Sequence, residues 1–494
     1  MAVIETHLSL LLVAIPLLAA PITAILPNGR LPWLFTLIIT WITLVLAAWQ
    51  LSIVIDGDII SYELGGWAPP WGIEYRIDPL NALVALIVAA IGAITLPYAL
   101  RSVEQEIPLA QRSLFYSAFL LCLDGLLGIT QTGDIFNLFV FLEISSLSSY
   151  ALISMGHNRR ALTAAYQYLI MGTIGATFLL IGIGLLYAET GTLNMMDLHA
   201  RLPAILDHRT VHTAFAFIVV GVALKLALFP LHLWLPNAYT YAPSVITVFL
   251  AATATKVAVY VMLRMVFTVF SSGFLLLTPA DNLFLLLGVA GVVIASVAAI
   301  YQRDAKRLLA YSSVAQIGYM VLGMGFASTL GVTATIVHVF NHALMKGALF
   351  MAVGALIYRV GSSNLDKLQG LGRQMPWTFG AIFIAGLSLI GLPGTAGFIS
   401  KWYLVLAALE QQAWLIAIVI LAGSLLAVIY MWKLVETLFF APATESSSAV
   451  KEAPLSLLVP TWVLVLANIY FGIHTDLTVN VAAQAVQMLE VVSQ

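Results

Sequence analysis

Two lysines, Lys225 and Lys256, stand inside adjacent apolar runs in the stretch GVALKLALFPLHLWLPNAYTYAPSVITVFLAATATK at 221–256. Pro230, Pro236 and Pro243 break the segment between them. A lysine at the centre of a membrane helix costs about 2.5–3.5 kcal/mol on insertion scales, so such residues face a bundle interior or a wet cavity. Further along, His338, His342 and Lys346 recur every fourth residue in HVFNHALMKGALF, which puts them on one helix face. Lys401 follows a run broken by Gly391, Pro393, Gly394 and Gly397. Glu143 lies nine residues after Asp134 in DIFNLFVFLEISSLSSY, about 13 Å along a helix and near mid-membrane. Burial disfavours the charge of such an acid and a nearby lysine favours it, so a proton can be gained or lost when the partner moves. Titratable groups spaced through a membrane interior suit a proton relay. A static ion pair that only holds helices together is the competing reading of Glu143.

Other readings of these groups are weaker. Two histidines at i and i+4 could hold zinc, but no third ligand accompanies His338 and His342, and no metal or cofactor is expected. Arg264 and Lys433 fall nearer the ends of their spans and are expected to snorkel to headgroups, Lys433 with Glu436 one turn away. Asp124, in LLCLDGLLGIT, is expected to bond helix neighbours. Cys122 is the only cysteine, so it makes no internal disulfide and reads as a small apolar residue.

The elements that must position these groups are membrane helices. Of 494 residues, 61% are hydrophobic and 9% charged, against about 25% charged in soluble domains. No basic patch or tail supports a nucleic-acid partner. Apolar runs long enough to span the hydrocarbon occur near 8–26, 32–55, 78–100, 113–131, 134–154, 161–188, 211–235, 243–270, 282–301, 307–326, 329–358, 377–408, 413–440 and 455–474. The expected fold is an all-α polytopic membrane protein of about fourteen transmembrane helices, with one integral membrane domain over 1–494. The apolar first run lacks a preceding Lys or Arg and reads as a true span rather than a secretory signal. Loops after odd-numbered spans hold twelve Lys and Arg, those after even-numbered spans only Arg76, Arg201 and Arg209. By the positive-inside bias both termini face outward and the loop of Arg303 to Arg307 is cytoplasmic.

Three connections have character of their own. Residues 56–78 place apolar and aromatic runs either side of Gly65-Gly66, a hairpin pattern. TLNMMDLHARL at 192–202 suits a short interfacial helix behind a threonine cap. ATESSSAVKEAP at 443–454 is a polar loop, and the last twenty residues lie along the interface or fray. Breaks near Lys225 and Lys401, in corresponding parts of two halves, point to an inverted-repeat transporter whose unwound backbone admits water.

The run KLALFPLHLWLPNAYTYAPSVITVFLAATATK is similar to the signature of the antiporter-like subunits of respiratory complex I and of the large subunits of Mrp sodium/proton antiporters. RLLAYSSVAQIGY, HVFNHALMKGALF and GLPGTAGFISKW match further signatures of that family, so the resemblance covers nearly the whole chain. It implies fourteen helices, broken helices 7 and 12, and two inverted five-helix repeats, here near 113–270 and 282–440. It also implies roles: Glu143 as the acid of the fifth helix, Lys225 as its partner, and Lys256 as the connecting lysine. His338, His342 and Lys346 would continue the axis, with Ser312, Ser313 and Gln316 holding water beside it, and Lys401 would end it.

Leu142 before Glu143, and Ser145-Ser146 after it, look like the D-type member of Mrp antiporters. Complex I versions often carry a tryptophan before the acid and a proline after it. The A-type Mrp member has additional C-terminal helices that this length does not accommodate. Lys401 stands where the middle antiporter-like subunit of complex I typically has glutamate, and no long lateral-helix extension follows residue 474. The leading expectation is therefore a D-like (MrpD-like), proton-translocating subunit of a multisubunit sodium/proton antiporter, not itself an enzyme. Its partners would be other membrane subunits, protons and sodium, in the cell membrane of a bacterium. The alternative is a proton-pumping subunit of a complex I-type or hydrogenase-type oxidoreductase whose redox sites lie in other subunits. A structural scaffold locked by buried charges is a third reading.

Overall fold

The computed structural model describes residues 5–442, 450–489 and 491. Among them, thirteen helices are long and apolar enough to cross a membrane. One further span, the twelfth in chain order, is built from two shorter pieces, Pro376–Ile390 and Ala396–Glu410, and Leu455–Ile473 is the fourteenth. The eleventh span, Thr329–Val360, is buried on all sides from Gly331 to Leu356. It packs against the eighth, tenth, twelfth and fourteenth spans, so the face that carries His338, His342 and Lys346 never meets lipid.

The clips that hold the two halves are built alike. Asp134 caps the fifth span (Ile135–Ser154) by accepting from the Asn137 amide, and Asp304 caps the tenth (Ala305–Gly325) by accepting from the Arg307 amide. A capping carboxylate satisfies an amide that the helix start leaves unpaired. Each aspartate also makes a single antiparallel bridge, Asp134 to Asn194 and Asp304 to Asn364. Each asparagine in turn caps the short helical turn that follows it. The sixth and eleventh spans end alike at left-handed Gly191 and Gly361. Five spans separate the two clips, an odd number, so one sits on each face of the membrane.

The connection at 56–78 forms the expected hairpin, strands Ile60–Glu63 and Glu74–Ile77 pairing antiparallel with Tyr62 opposite Tyr75. The short helix expected near 192–202 is Met195–Arg201, but its cap is Asn194, not the threonine. Thr192 instead presents its hydroxyl to the Asn194 amide. The chain's end is a helix, Asp476–Met488, that packs on the third and eleventh spans through Val481, Ala482, Ala485 and Val486. Residues 443–449 of the expected polar loop lie outside the described residues.

Arg264 and Lys433 are placed differently from the snorkelling expected of them. Arg264 is buried and ion-paired with Asp78 at the start of the third span. Lys433 donates to the carbonyls of Ile300 and Gln302, 2.8 and 2.7 Å away, where the ninth span ends. An ammonium there complements the negative end of the helix dipole. Asp124 is fully buried, and neither carboxyl oxygen has a hydrogen-bond partner, so the expected bonds to helix neighbours are not formed.

Candidate functional site

The seventh span stops at Leu226 and resumes at Trp234. Ala227 takes a left-handed conformation, φ 60°, and turns the chain out of the helix. Pro230 then offers no amide to continue it. The indole of Trp234 donates to the Leu224 carbonyl at 2.9 Å, a second donor to an acceptor that the Ala227 amide also reaches at 3.3 Å. Its ring stacks on Tyr168 with centroids 3.9 Å apart, which fixes the break.

Lys225 sits in the last turn before this break, at the negative end of a helix dipole. Its ammonium lies 3.2 Å from Glu143 Oε1 and donates to Ser146 Oγ at 2.8 Å. The acid and the lysine singled out in the sequence are thus in contact. Beside them is a cavity of about 30 Å³ lined by Ser145, Ser146, Ser149 and Lys225, and by Ala254, Val257 and Ala258 of the eighth span. The walls are polar on one side and the space is of water size, so water can lead from Lys225 toward the eighth span.

Lys256 stands on that span just after an irregularity, because the helix Ser244–Ala252 ends and Ala254–Leu263 begins across Thr253 at φ −125°, ψ −61°. The Lys256 ammonium donates to the Ala251 carbonyl and lies 3.4 Å from Thr255 Oγ1. Lys346 is likewise fully buried and donates to the Leu309 carbonyl at 2.8 Å and to the Ser312 hydroxyl. His338 and His342 stack with centroids 5.8 Å apart. His338 Nδ1 meets Ser400 Oγ at 2.7 Å, whereas its Nε2 and both nitrogens of His342 are buried without partners. Ser313 bonds the Leu309 carbonyl, and the Gln316 amide is buried with no partner.

The twelfth span breaks between Ile390 and Ala396, with Gly391 at φ 94° and Gly394 at φ 86°. Lys401 lies on the second piece but reaches back to the first. Its ammonium donates to the Leu389 and Ile390 carbonyls at 3.0 and 2.9 Å and to Ser424 Oγ at 3.2 Å. It lies 4.9 Å from the centroid of the Tyr319 ring, within cation–π range. Lys225 precedes its break and bonds Glu143 and Ser146, whereas Lys401 follows its own break and bonds the carbonyl end of the preceding half-helix. Gly391 is required twice, since a Cβ there would approach Lys401 Cδ to 3.0 Å and left-handed backbone costs a non-glycine residue about 1–2 kcal/mol. Gly391→Ala is expected to dislodge Lys401 and lower ion translocation several-fold while the chain still assembles. Wild-type transport in membrane vesicles would contradict this.

Only Lys225 among the membrane lysines has an acidic partner in the described residues. Lys256, Lys346 and Lys401 have neutral oxygen acceptors. No hydrogen bond joins Lys225 to Lys256 or Lys256 to Lys346, so the groups form stations rather than a continuous chain of direct bonds. His232, which the spacing of ionisable residues did not single out, lies buried inside the seventh-span break with Nδ1 unpartnered, and stacks on Phe229 with centroids 5.3 Å apart. A histidine between two prolines in an apolar run was the available signal.

A polytopic helical protein with broken spans, and with lysines and histidines buried across its centre, is of the ion-translocating class. Residues 132–427 match the family described as NADH:quinone oxidoreductase/Mrp antiporter, TM. The chain belongs to this family and is one of its proton-translocating, antiporter-like membrane subunits. The N subunit of the NADH-quinone oxidoreductase of Desulforudis audaxviator is 41% identical over 488 residues, 95% of this chain and 96% of its own length. The D-type member of the Na(+)/H(+) antiporter of Alkalihalophilus pseudofirmus is 31% identical over 425 residues, 86% of this chain and 85% of its own. Among solved structures, a chain of the Mrp complex from Dietzia sp. DQ12-45-1b superposes with a TM-score of 0.90 at 26% identity, covering 98% of this chain and 97% of its own. The fold is therefore that of the complex I and Mrp antiporter-like subunits, and the chain is part of a multisubunit membrane complex.

Proposed function

We propose that this chain is an N-type proton pump module of a complex I-type respiratory assembly, with its redox chemistry in partner subunits. The observation that carries the reading is the 41% identity to an oxidoreductase N subunit over nearly the full length of both chains. The D-like antiporter reading rests on a Leu142–Glu143–Ile144–Ser145 context and on identities near 30%. It is the second reading. Lys401 argues only against the middle complex I subunit and is compatible with either. The assembly sits in a bacterial cell membrane with both termini of this chain outside, following the basic loops. Residues 113–270 and 282–440 act as two inverted halves.

In this mechanism Glu143 holds Lys225 charged while they touch. When a partner subunit's movement separates them, Lys225 releases its proton through the water-sized cavity toward Lys256. Lys256 passes it to the buried face of His342 and Lys346, with His338 beside it, and Lys401 delivers it to the opposite face. A neutral lysine hydrogen-bonded to carbonyls is cheap to bury and a charged one is not, so the lysines cannot all carry protons at once and occupancy moves from one to the next. The membrane potential contributes about 2.3 kcal/mol per charge per 100 mV to each full crossing.

Purifying the assembly through a tag on this chain separates the two readings. Iron–sulfur subunits and electron-transfer activity are expected to copurify. An assembly without iron, exchanging sodium for protons in proteoliposomes, would overturn the respiratory reading in favour of the antiporter.

A further inference from the structure

The third span (Pro79–Glu106) is enclosed along most of its length, and what it leaves open is a single stripe. Between Pro79 and Ala99 every residue is buried except Leu86, Ala90, Ile94 and Pro97. They recur at three- and four-residue steps, so they share one helix face, and the exposed Arg101 continues it. Beside the stripe lies a groove of about 200 Å³ between the third, eleventh and fourteenth spans. Leu86, Ala90 and Ile94 form one wall, Leu344 the floor, and Val463 and Ala467 the other wall. Every residue that lines it is apolar. At one end Phe471 meets Phe340 edge to face, with centroids 4.8 Å apart.

Where the stripe reaches the face rich in basic residues, an open cleft of about 350 Å³ lies between Arg101, Glu104 and Gln105 of the third span and Tyr358 and Arg359 of the eleventh. Gln105 donates to the Tyr358 carbonyl at 3.1 Å and ties the two span ends together. Arg359 is held just before the fourteenth span, its Nε donating to the Glu452 carbonyl at 3.1 Å. Glu104 is shared, with Arg101 Nη1 at 3.2 Å and Arg30 Nε at 3.6 Å. The carboxylates of Glu106 and Glu452 are occupied elsewhere, by the Ser244 amide and by the Trp377 amide and Thr378 hydroxyl. Three guanidinium groups therefore stand against one carboxylate at the foot of the stripe.

An apolar cavity stays free of water, so the groove suits hydrocarbon, and guanidinium forks suit a phosphate. The spacing joins the two. Arg101 follows Ala90 by eleven residues, about 16 Å of helix, close to half of the ~30 Å hydrocarbon core. A lipid of the leaflet on that side, with its phosphate at Arg101, therefore ends its tail in the groove. We propose that this seam binds one anionic two-chain phospholipid. Its phosphate sits between Arg101 and Arg359, and one acyl chain runs along Pro97, Ile94 and Ala90 to Leu344. The excess positive charge at the foot of the stripe favours an anionic headgroup over a zwitterionic one. Leu344 is two residues from Lys346, so the chain end lies against the helix that carries that lysine. The site does not depend on which ion the lysine axis moves.

The test uses the assembled complex in bilayers that contain a trace of phosphatidylglycerol with a photoreactive diazirine near the end of one chain. Illumination is expected to label the segments around Ala90, Leu344 and Val463, located by peptide mass spectrometry. Phosphatidylcholine carrying the same diazirine is expected to label them about tenfold less or lower still. Arg101→Gln combined with Arg359→Gln is expected to remove that preference, and Ala90→Phe, which fills the groove, to remove the label itself. Should Ala90→Phe fail to assemble, Ala467→Phe fills the same space from the opposite wall. The comparison of the two lipids needs no variant. Equal labelling by both lipids would mark ordinary contact with bulk bilayer and overturn the site. So would a preference that survives loss of both arginines, or no label in the groove, as when a helix of a partner subunit covers it.

Discussion

Glu143→Gln is expected to reduce proton translocation at least about tenfold while leaving the chain assembled. The amide keeps the shape of the acid and can still accept from Lys225, so the packing around the fifth span is retained. What is lost is the charge that holds the Lys225 ammonium in a site where Ser146 is its other partner. At an effective dielectric constant near 20, two unit charges in contact interact by about 4 kcal/mol. Desolvation of the two charges offsets part of this. Even about 1.4 kcal/mol of the remainder changes the occupancy of a proton site tenfold. Lys225→Ala should have a similar effect, and the double variant should be no worse than either single one, since each removes the same pair. Acidification of inverted vesicles, read by quenching of a weak-base dye, measures all three. Additive losses would show that the two residues act separately.

Lys346→Met is expected to abolish translocation and, at the same time, to leave the complex as stable as before or more so. The ammonium is fully buried and is met by the Leu309 carbonyl and the Ser312 hydroxyl, with no acid in contact. Replacing buried charges by apolar side chains of similar volume is often neutral or stabilising by about 1–4 kcal/mol. Methionine fills the same channel with an unbranched chain. In the proposed relay Lys346 serves the proton it exchanges, not the stability of the bundle. The scaffold reading predicts the opposite sign, because there the charge would lock the bundle. Thermal unfolding of the purified assembly decides the matter, and a clear fall in midpoint with transport intact would support a lock.

Much of this architecture is legible in the chain itself. Fourteen apolar runs become fourteen spans because each is long enough to cross and has nowhere else to bury its surface. The breaks in the seventh and twelfth spans are announced by Pro230 and by the Gly391-Leu392-Pro393-Gly394 run. The contact between Glu143 and Lys225 follows from two ionisable groups at similar depth in a medium that penalises either one alone. The break at Thr253 carries no proline or glycine, and the hydroxyl of Thr253, bonded to the Phe249 carbonyl, gives no distinctive pattern. Position in the run puts Arg264 near a span end, but its partner lies 186 residues away and no local rule could supply it. The same holds for Lys433, whose acceptors belong to the ninth span and the residues after it. Local spacing is also silent on the backbone carbonyls that hold Lys256, Lys346 and Lys401, since every residue has one.

The central claim is that protons cross through the joint between the two halves, and Lys256 is that joint. The most direct test, on the proposed respiratory reading, is proton uptake by inverted vesicles carrying the assembled complex with Lys256→Ala, energised by the electron donor of that assembly. The expected result is loss of the share of uptake that passes through this chain, leaving the level seen with Glu143→Gln, while electron transfer continues at a reduced rate. Full proton uptake per electron with Lys256→Ala would contradict a route through the joint.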